Sequence, residues 1–205
     1  MQHLSLEQIE QDTVRLFLQI YQGNEIHPEP YIPTAIGAVW KGGCSLIAPL
    51  IIELFEAFGH TDIYHMPFKA RSYQRPGENE AVRLDGLGSF KERLTPNDKV
   101  LIIEDIVDTG STHKRIMSEL SLVTENARFA VLYWRKDKHK GGIRPDYFVE
   151  PKTDWQNFPH EVSDIVRNER GLLIPEGIAK LRDRGGAYVQ VADLLELQRK
   201  IEAGH

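Results

Sequence analysis

A single cysteine, Cys44, leaves the chain no partner for an internal disulfide, and a lone thiol suits a reducing compartment. Long apolar runs are also missing. The longest, Leu46–Ile52, contains Pro49 and falls far short of the ~20 residues that span a bilayer. Positive charge is not in excess: 25 Lys and Arg stand against 30 Asp and Glu, a net charge of −5, so the chain as a whole has no electrostatic attraction for nucleic acid. The opening MQHLSLEQIEQD lacks the charged-then-apolar layout of a secretion signal. The eight histidines show no HExxH or other metal-ligand spacing, and no repeat at a 20–50 residue period is visible. The expectation is a cytoplasmic protein that binds neither membrane nor nucleic acid. What is present is an ordinary globular composition, 41% hydrophobic and 27% charged over 205 residues, which excludes a disordered chain. Folding at this length buries about 70% of the extended surface, enough for a core without staples.

Along the chain, apolar stretches alternate with amphipathic ones. A helix is predicted from the Ser5-Leu6-Glu7-Gln8 capping box, with Ile9, Val14, Phe17, Leu18 and Tyr21 inward and a stop at Gly23-Asn24. A proline-marked loop, His27–Pro33, follows. Ala35–Trp40 reads as a strand running into Lys41-Gly42-Gly43, and Ile47, Ile51, Leu54, Phe55 and Phe58 trace a helix face. Asp62–Phe68, Lys99–Ile103, Ala127–Trp134 and Asp146–Val149 are further strands, and Ser111–Val123 is a helix. The arginine-rich stretch Ala70–Ser89 reads as a mobile loop. Two weaker helices close the chain, around Ile174–Arg184 and Val191–Ile201. This alternation predicts an α/β fold, a parallel twisted sheet flanked by helices with a small hood from the terminal segments. One domain is expected over 1–205, with an N-terminal helix and loop (1–33), a core (34–165) and a C-terminal helical extension or hood (166–205). In such sheets ligands bind beyond the carboxyl ends of the strands, here after Trp40, Ile103 and Trp134.

The most informative segment is VLIIEDIVDTGST, Val100–Thr112. Four apolar residues lead to Glu104 and Asp105, then to Asp108 and to Thr109-Gly110-Ser111-Thr112 opening a helix. Backbone N–H groups at a helix start, a glycine and three hydroxyls within four residues form a phosphate cradle. The loop holds no lysine, so it is not an ATP-binding P-loop. Gly37 to Gly42 lacks the Lys-Ser/Thr pair of that motif, and Gly86-Leu87-Gly88 lacks the third glycine of a dinucleotide loop. Ser111-Thr112-His113-Lys114 fits SxxK, but no partner motif supports that hydrolase. A ligand with a phosphate and neutral hydroxyls fits best. Glu104 and Asp105 accept from vicinal ribose hydroxyls while the loop amides hold a 5′-phosphate.

The string resembles the phosphoribosyl pyrophosphate (PRPP) motif of type I phosphoribosyltransferases. Three other segments resemble the 6-oxopurine branch of that family. Trp40-Lys41-Gly42-Gly43 is similar to its pyrophosphate loop, in which the peptide before the lysine is often cis. Lys69-Ala70-Arg71-Ser72-Tyr73, about thirty residues before the acidic pair, is similar to its catalytic lid. Lys136 with Pro145-Asp146-Tyr147-Phe148 and then Trp155 resembles its purine site.

The resemblance implies transfer of a phosphoribosyl group from PRPP to hypoxanthine, guanine or xanthine, releasing a purine nucleoside monophosphate and pyrophosphate. It implies Asp108 as the acid or base for the purine N7 proton, with acidic and phosphate charges around it. It implies Lys136 at the purine O6, Trp155 stacked on the ring, Gln156 beside the 2-position, and Ser72 and Tyr73 closing over the site. Lys41, Gly42 and Arg167 would face pyrophosphate. Mg²⁺ would be the cofactor, with Glu104, Asp105 and Glu161 as candidate ligands, and the assembly a homodimer or homotetramer. Two other readings stay open: transfer to another nucleobase, and a non-catalytic regulator that senses PRPP or a nucleotide.

Overall fold

The computed structural model describes residues 2–73, 81–138, 144–154, 156–168 and 170–203. In chain order the elements are β1 (Gln2–His3), α1 (Leu6–Gln22), β2 (Ala35–Trp40), a π-helical turn (Gly43–Ile47), α2 (Ala48–Ala57), β3 (Tyr64–Tyr73), β4 (Ala81–Asp85), α3 (Leu87–Lys91), β5 (Val100–Val107), α4 (Ser111–Leu120), β6 (Ala127–Trp134), β7 (Tyr147–Pro151), β8 (Gln156–Asn157), α5 (Val162–Val166), α6 (Pro175–Arg182) and α7 (Ala187–Glu202). The chain divides into two compact units, Leu6–Asp154 and Met1–Ser5 with Trp155–His205. No helix among the described residues is long and apolar enough to cross a membrane.

The larger unit is a six-stranded sheet in the order β4-β3-β2-β5-β6-β7. Every pairing is parallel except β3 with β4. The central strands are apolar because neither face meets water. Val100–Ile103 of β5 and Phe129–Leu132 of β6 are fully buried. Val100, Ile102, Phe129 and Val131 share a core with Leu87 and Phe90 of α3 and Ile116 and Leu120 of α4. Helix α1 packs beside α2, with Phe17 edge-on to Phe55 at 5.1 Å between ring centres.

Several expectations about elements are corrected. Of the stretch read as a loop, residues 74–80 lie outside the described residues, and the rest forms the end of β3, all of β4 and the start of α3. Its polar residues sit on an edge hairpin, where Lys69 pairs with Asp85 and Arg71 with Arg83, and one-sided exposure hides the strand from a hydrophobicity reading. In α1 the buried stripe is Ile9, Leu16, Phe17 and Ile20, while Leu18 is exposed. That stripe also buries Asp12, which accepts from the Tyr133 hydroxyl, from Gln8 Nε2 at 2.9 Å and from Arg15 at 3.0 Å. Strand β5 does not stop at Ile103 but runs through both acids to Val107. Ile102 and Val107 line the same core, although a regular strand sends residues five apart to opposite faces. The pairing with β6 nonetheless keeps one register, with Val100 opposite Ala127 and Val107 opposite Trp134, so no bulge interrupts the strand.

In the smaller unit β1 and β8 form a two-residue parallel pair, Gln2 opposite Gln156. Its core joins Ile165, Val166, Leu173, Ile178, Leu181 and Ala192, with Val162 and Leu195 at the margin. Arg182 of α6 pairs with Asp193 of α7 at 2.7 Å.

Candidate active site

Strand β2 ends at Trp40, and the Trp40–Lys41 peptide is cis. The turn that follows leans on β5. A Cβ added to Gly43 would lie 2.0 Å from the carbonyl oxygen of Ile103, and one added to Gly42 would lie 2.1 Å from Cγ of Asp105. Only hydrogen fits at either place. The turn is closed by Ser45, whose N–H donates to Lys41 O at 3.0 Å and whose hydroxyl donates to Gly42 O at 3.2 Å. Lys41 itself is exposed.

Against this turn stand the two acids of β5. Asp105 is buried, and its Oδ1 accepts the N–H of Ile106 at 2.7 Å. Glu104 is partly buried. Desolvation, and after it the charge of Asp105, raises the Glu104 carboxyl well above the usual carboxylate value. A carboxyl raised on folding stabilises the fold below its unfolded pKa of about 4.3, and loses that contribution as pH rises through the folded value. Ionised Glu104 is therefore a liability at neutral pH. Glu104→Gln is expected to raise Tm at pH 7, with the gain gone below about pH 4. A lower Tm at pH 7 would contradict the raised pKa.

After Val107 the chain turns through Asp108-Thr109-Gly110. Gly110 takes φ +84, the left-handed conformation that side chains disfavour, and α4 starts at the next residue. The N–H of Lys114 reaches back to Gly110 O at 2.9 Å, and the hydroxyls of Thr109 and Ser111 lie 3.0 Å apart. The first-turn amides of α4 have no intrahelical acceptors, so this corner concentrates donors and the positive end of a helix dipole. Asp108 points elsewhere, to Arg135, whose Nη1 is 3.2 Å from Asp108 Oδ1. Arg135 is a cation beside Asp108 that the expected acidic and phosphate surroundings did not include. Its N–H donates to Val107 O at 2.9 Å, which places it beside the Asp108 turn, while the next residue, Lys136, is exposed.

The carboxyl ends of β2, β5 and β6 thus bring a glycine turn, two acids, a helix start and an Asp–Arg pair together. The phosphoribosyl transferase domain family matches residues 4–164. This chain belongs to that family. A hypoxanthine-guanine phosphoribosyltransferase of Schistosoma mansoni is 32% identical over 117 residues, 55% of this chain and 40% of that protein, so the match spans less than half of the curated relative. The fold is that of a purine phosphoribosyltransferase from Pyrococcus horikoshii (TM-score 0.57, 20% identity, 77% of this chain and 92% of that one). It is also that of a hypothetical protein from Neisseria gonorrhoeae with bound ppGpp (TM-score 0.62, 20% identity, 80% of this chain and 92% of that one).

In this phosphoribosyl transferase domain the other expected residues are distributed as follows. Ser72 and Tyr73 end β3. Lys69 pairs with Trp40, so the four residues to Tyr73 carry the hairpin ~13 Å beyond the end of β2. Pro145-Asp146-Tyr147 does not lie at the carboxyl edge. Tyr147 pairs with Ala130, in the first half of β6, and is fully buried. Asp146 accepts from Phe129 N–H at 2.8 Å and contacts His27 Nε2 at 2.7 Å, which ties down the 23–33 loop. These residues hold β7, and the part of the resemblance they carried is structural.

Trp155 lies outside the described residues. Gln156, Glu161 and Arg167 belong to the smaller unit. Gln156 is buried in β8. Glu161 Oε2 accepts Phe158 N–H at 3.0 Å, and Arg167 bonds Gly171 O and lies 3.4 Å from Glu202. Within their unit both have structural partners, a role that their spacing in the sequence does not reveal.

Proposed function

We propose that this chain transfers the phosphoribosyl group of PRPP to a 6-oxopurine (hypoxanthine, guanine or xanthine), releasing a purine nucleoside monophosphate and pyrophosphate in cytoplasmic purine salvage. The observation that carries the reading is the β5–α4 corner, where Glu104 and Asp105 precede a left-handed Gly110 and a helix start rich in hydroxyls. Amides and hydroxyls of Thr109–Thr112 hold the 5′-phosphate, and the two carboxylates accept from the ribose hydroxyls. Lys41 and Gly42 face pyrophosphate, with Arg167 as the further cation.

Two carboxylates side by side, one of them reluctant to ionise, also suit a divalent cation. Glu104 and Asp105 would hold magnesium, with Glu161 as a further candidate. What magnesium supplies when bound is neutralisation of pyrophosphate charge. Displacement at C1 develops ribosyl oxocarbenium character, so the chain contributes charge placement and exclusion of water. The extended β3–β4 hairpin, carrying Ser72 and Tyr73, covers the reacting centre. Asp108 exchanges the purine N7 proton, Lys136 faces O6, Trp155 stacks on the ring and Gln156 lies at the 2-position. The assembly is a homodimer or homotetramer.

The test is a panel assay: protein, PRPP and Mg²⁺ with each of hypoxanthine, guanine, xanthine, adenine and orotate, following nucleotide by absorbance and pyrophosphate release. Turnover with one or more of the three 6-oxopurines is the expected result. Turnover confined to adenine or orotate would move the assignment to another nucleobase. PRPP or nucleotide binding without turnover would make the chain a regulator.

A further inference from the structure

Asp108 stands on a turn, where no ladder of backbone hydrogen bonds fixes its direction. Its Oδ1 is buried, and among the described residues no hydrogen-bond donor reaches that atom, although Nη1 of Arg135 lies 3.2 Å away. The contact is thus an ion pair without a well-aimed N–H. A guanidinium set as a fork would have occupied both oxygens of the carboxylate. This one holds the charge in place, and because the side chain is 37% exposed while Oδ1 is buried, the rest of the carboxylate stays open to another donor.

Arg135 is itself secured from other sides. Its backbone N–H donates to Val107 O at 2.9 Å and its Nη2 donates to Thr153 O at 3.1 Å, and its side chain is only 11% exposed. It therefore joins the turn after β5, the end of β6 and the segment after β7. A planar guanidinium with several donors can bond a carbonyl and face a carboxylate at once, which a single ammonium on a flexible stem does less well.

We propose that Arg135 is the positioning residue of the site: anchored on Thr153, it aims the Asp108 carboxylate at the N–H of the bound purine while leaving the exposed part of that carboxylate free to meet it. This deepens the purine reading above and rests on it. Arg135→Met is expected to lower kcat about 10- to 100-fold with KM for PRPP within about threefold, the split that a misaimed proton-transfer group produces. Arg135→Lys, which keeps the charge, is expected to recover part of that loss. A crystal structure of Arg135→Met should show the Asp108 carboxylate turned from its wild-type position. Unchanged kcat, a loss confined to KM and Tm, or a carboxylate that stays in place would each overturn the proposal. Arg135→Gln gives the same readouts if the methionine variant does not fold. Should wild-type protein turn over no purine, the reaction assignment falls, while the Asp108 position in the variant still decides whether Arg135 is the brace.

Discussion

Asp108→Asn is expected to lower kcat for the preferred 6-oxopurine by about 10²-fold or more, and to leave the affinity for PRPP within about threefold. The two halves of that expectation come from different parts of one turn. The corner proposed to hold the phosphate is made of backbone amides after Gly110 and the hydroxyls of Thr109, Ser111 and Thr112, and asparagine at 108 touches none of its chemistry. The isosteric swap also keeps an oxygen facing Arg135. What is lost is the negative charge and the capacity to exchange a proton, which matter only as charge moves between ribose and base. An interaction made only in the transition state depresses kcat and kcat/KM together, so the measurement is a full set of steady-state constants rather than a single rate. A variant with wild-type kcat would remove Asp108 from the chemistry. A variant that lost PRPP binding to the same degree would make it part of the phosphate corner instead.

Which parts of this domain could be read from residues alone follows from where water is. Buried parallel strands are written in apolar letters, and Ala35–Trp40 and Ala127–Trp134 were legible to the residue. The corner Asp108–Thr112 was legible because it is local: a glycine, hydroxyls and a helix start occur within one turn of chain. The β3–β4 hairpin was not, since an edge pair with one solvated face carries Arg71 opposite Arg83 and resembles a loop. Nor was the continuation of β5, because Glu104 and Asp105 look like the end of an apolar run. Arg135 was passed over in favour of Lys136 for a subtler reason. Lys136 came from a resemblance, and a motif match along the chain does not tell which of two adjacent cations turns toward Asp108. Pro145–Phe148 resembles part of a purine site because a motif records order along the chain, whereas the pairing of Tyr147 with Ala130 puts the segment in the first half of the sheet. The edge pairing and the register of β7 are both non-local, which is why local pattern did not reveal them.

Gly43→Ala should be among the most damaging single-methyl additions in the larger unit. A Cβ at this position would sit 2.0 Å from Ile103 O, 2.6 Å from its carbonyl carbon and 2.9 Å from Glu104 Cα, all backbone of a central strand bonded on both sides. Overpacking costs typically about 1–3 kcal/mol where side chains can yield, and more is expected here because a ladder cannot. For a domain of this size a loss of about 3 kcal/mol or more corresponds to a fall in Tm of at least roughly 6–12 °C. Gly42→Ala forms the informative contrast. Its new methyl meets the Asp105 carboxylate, an atom group that can rotate, so stability should fall less while the proposed ribose acceptor is displaced. Gly88→Ala supplies the control: nothing lies within 4 Å of its Cβ and the residue is helical, so Tm should hold or rise by the helix-propensity gain of about 1 kcal/mol. Differential scanning calorimetry of the three variants orders them, with Gly43→Ala lowest, Gly42→Ala between and Gly88→Ala at or above wild type. A Gly43→Ala protein as stable as Gly88→Ala would mean that the turn does not rest on β5, and that the acids and the glycine turn are not held together by backbone contact.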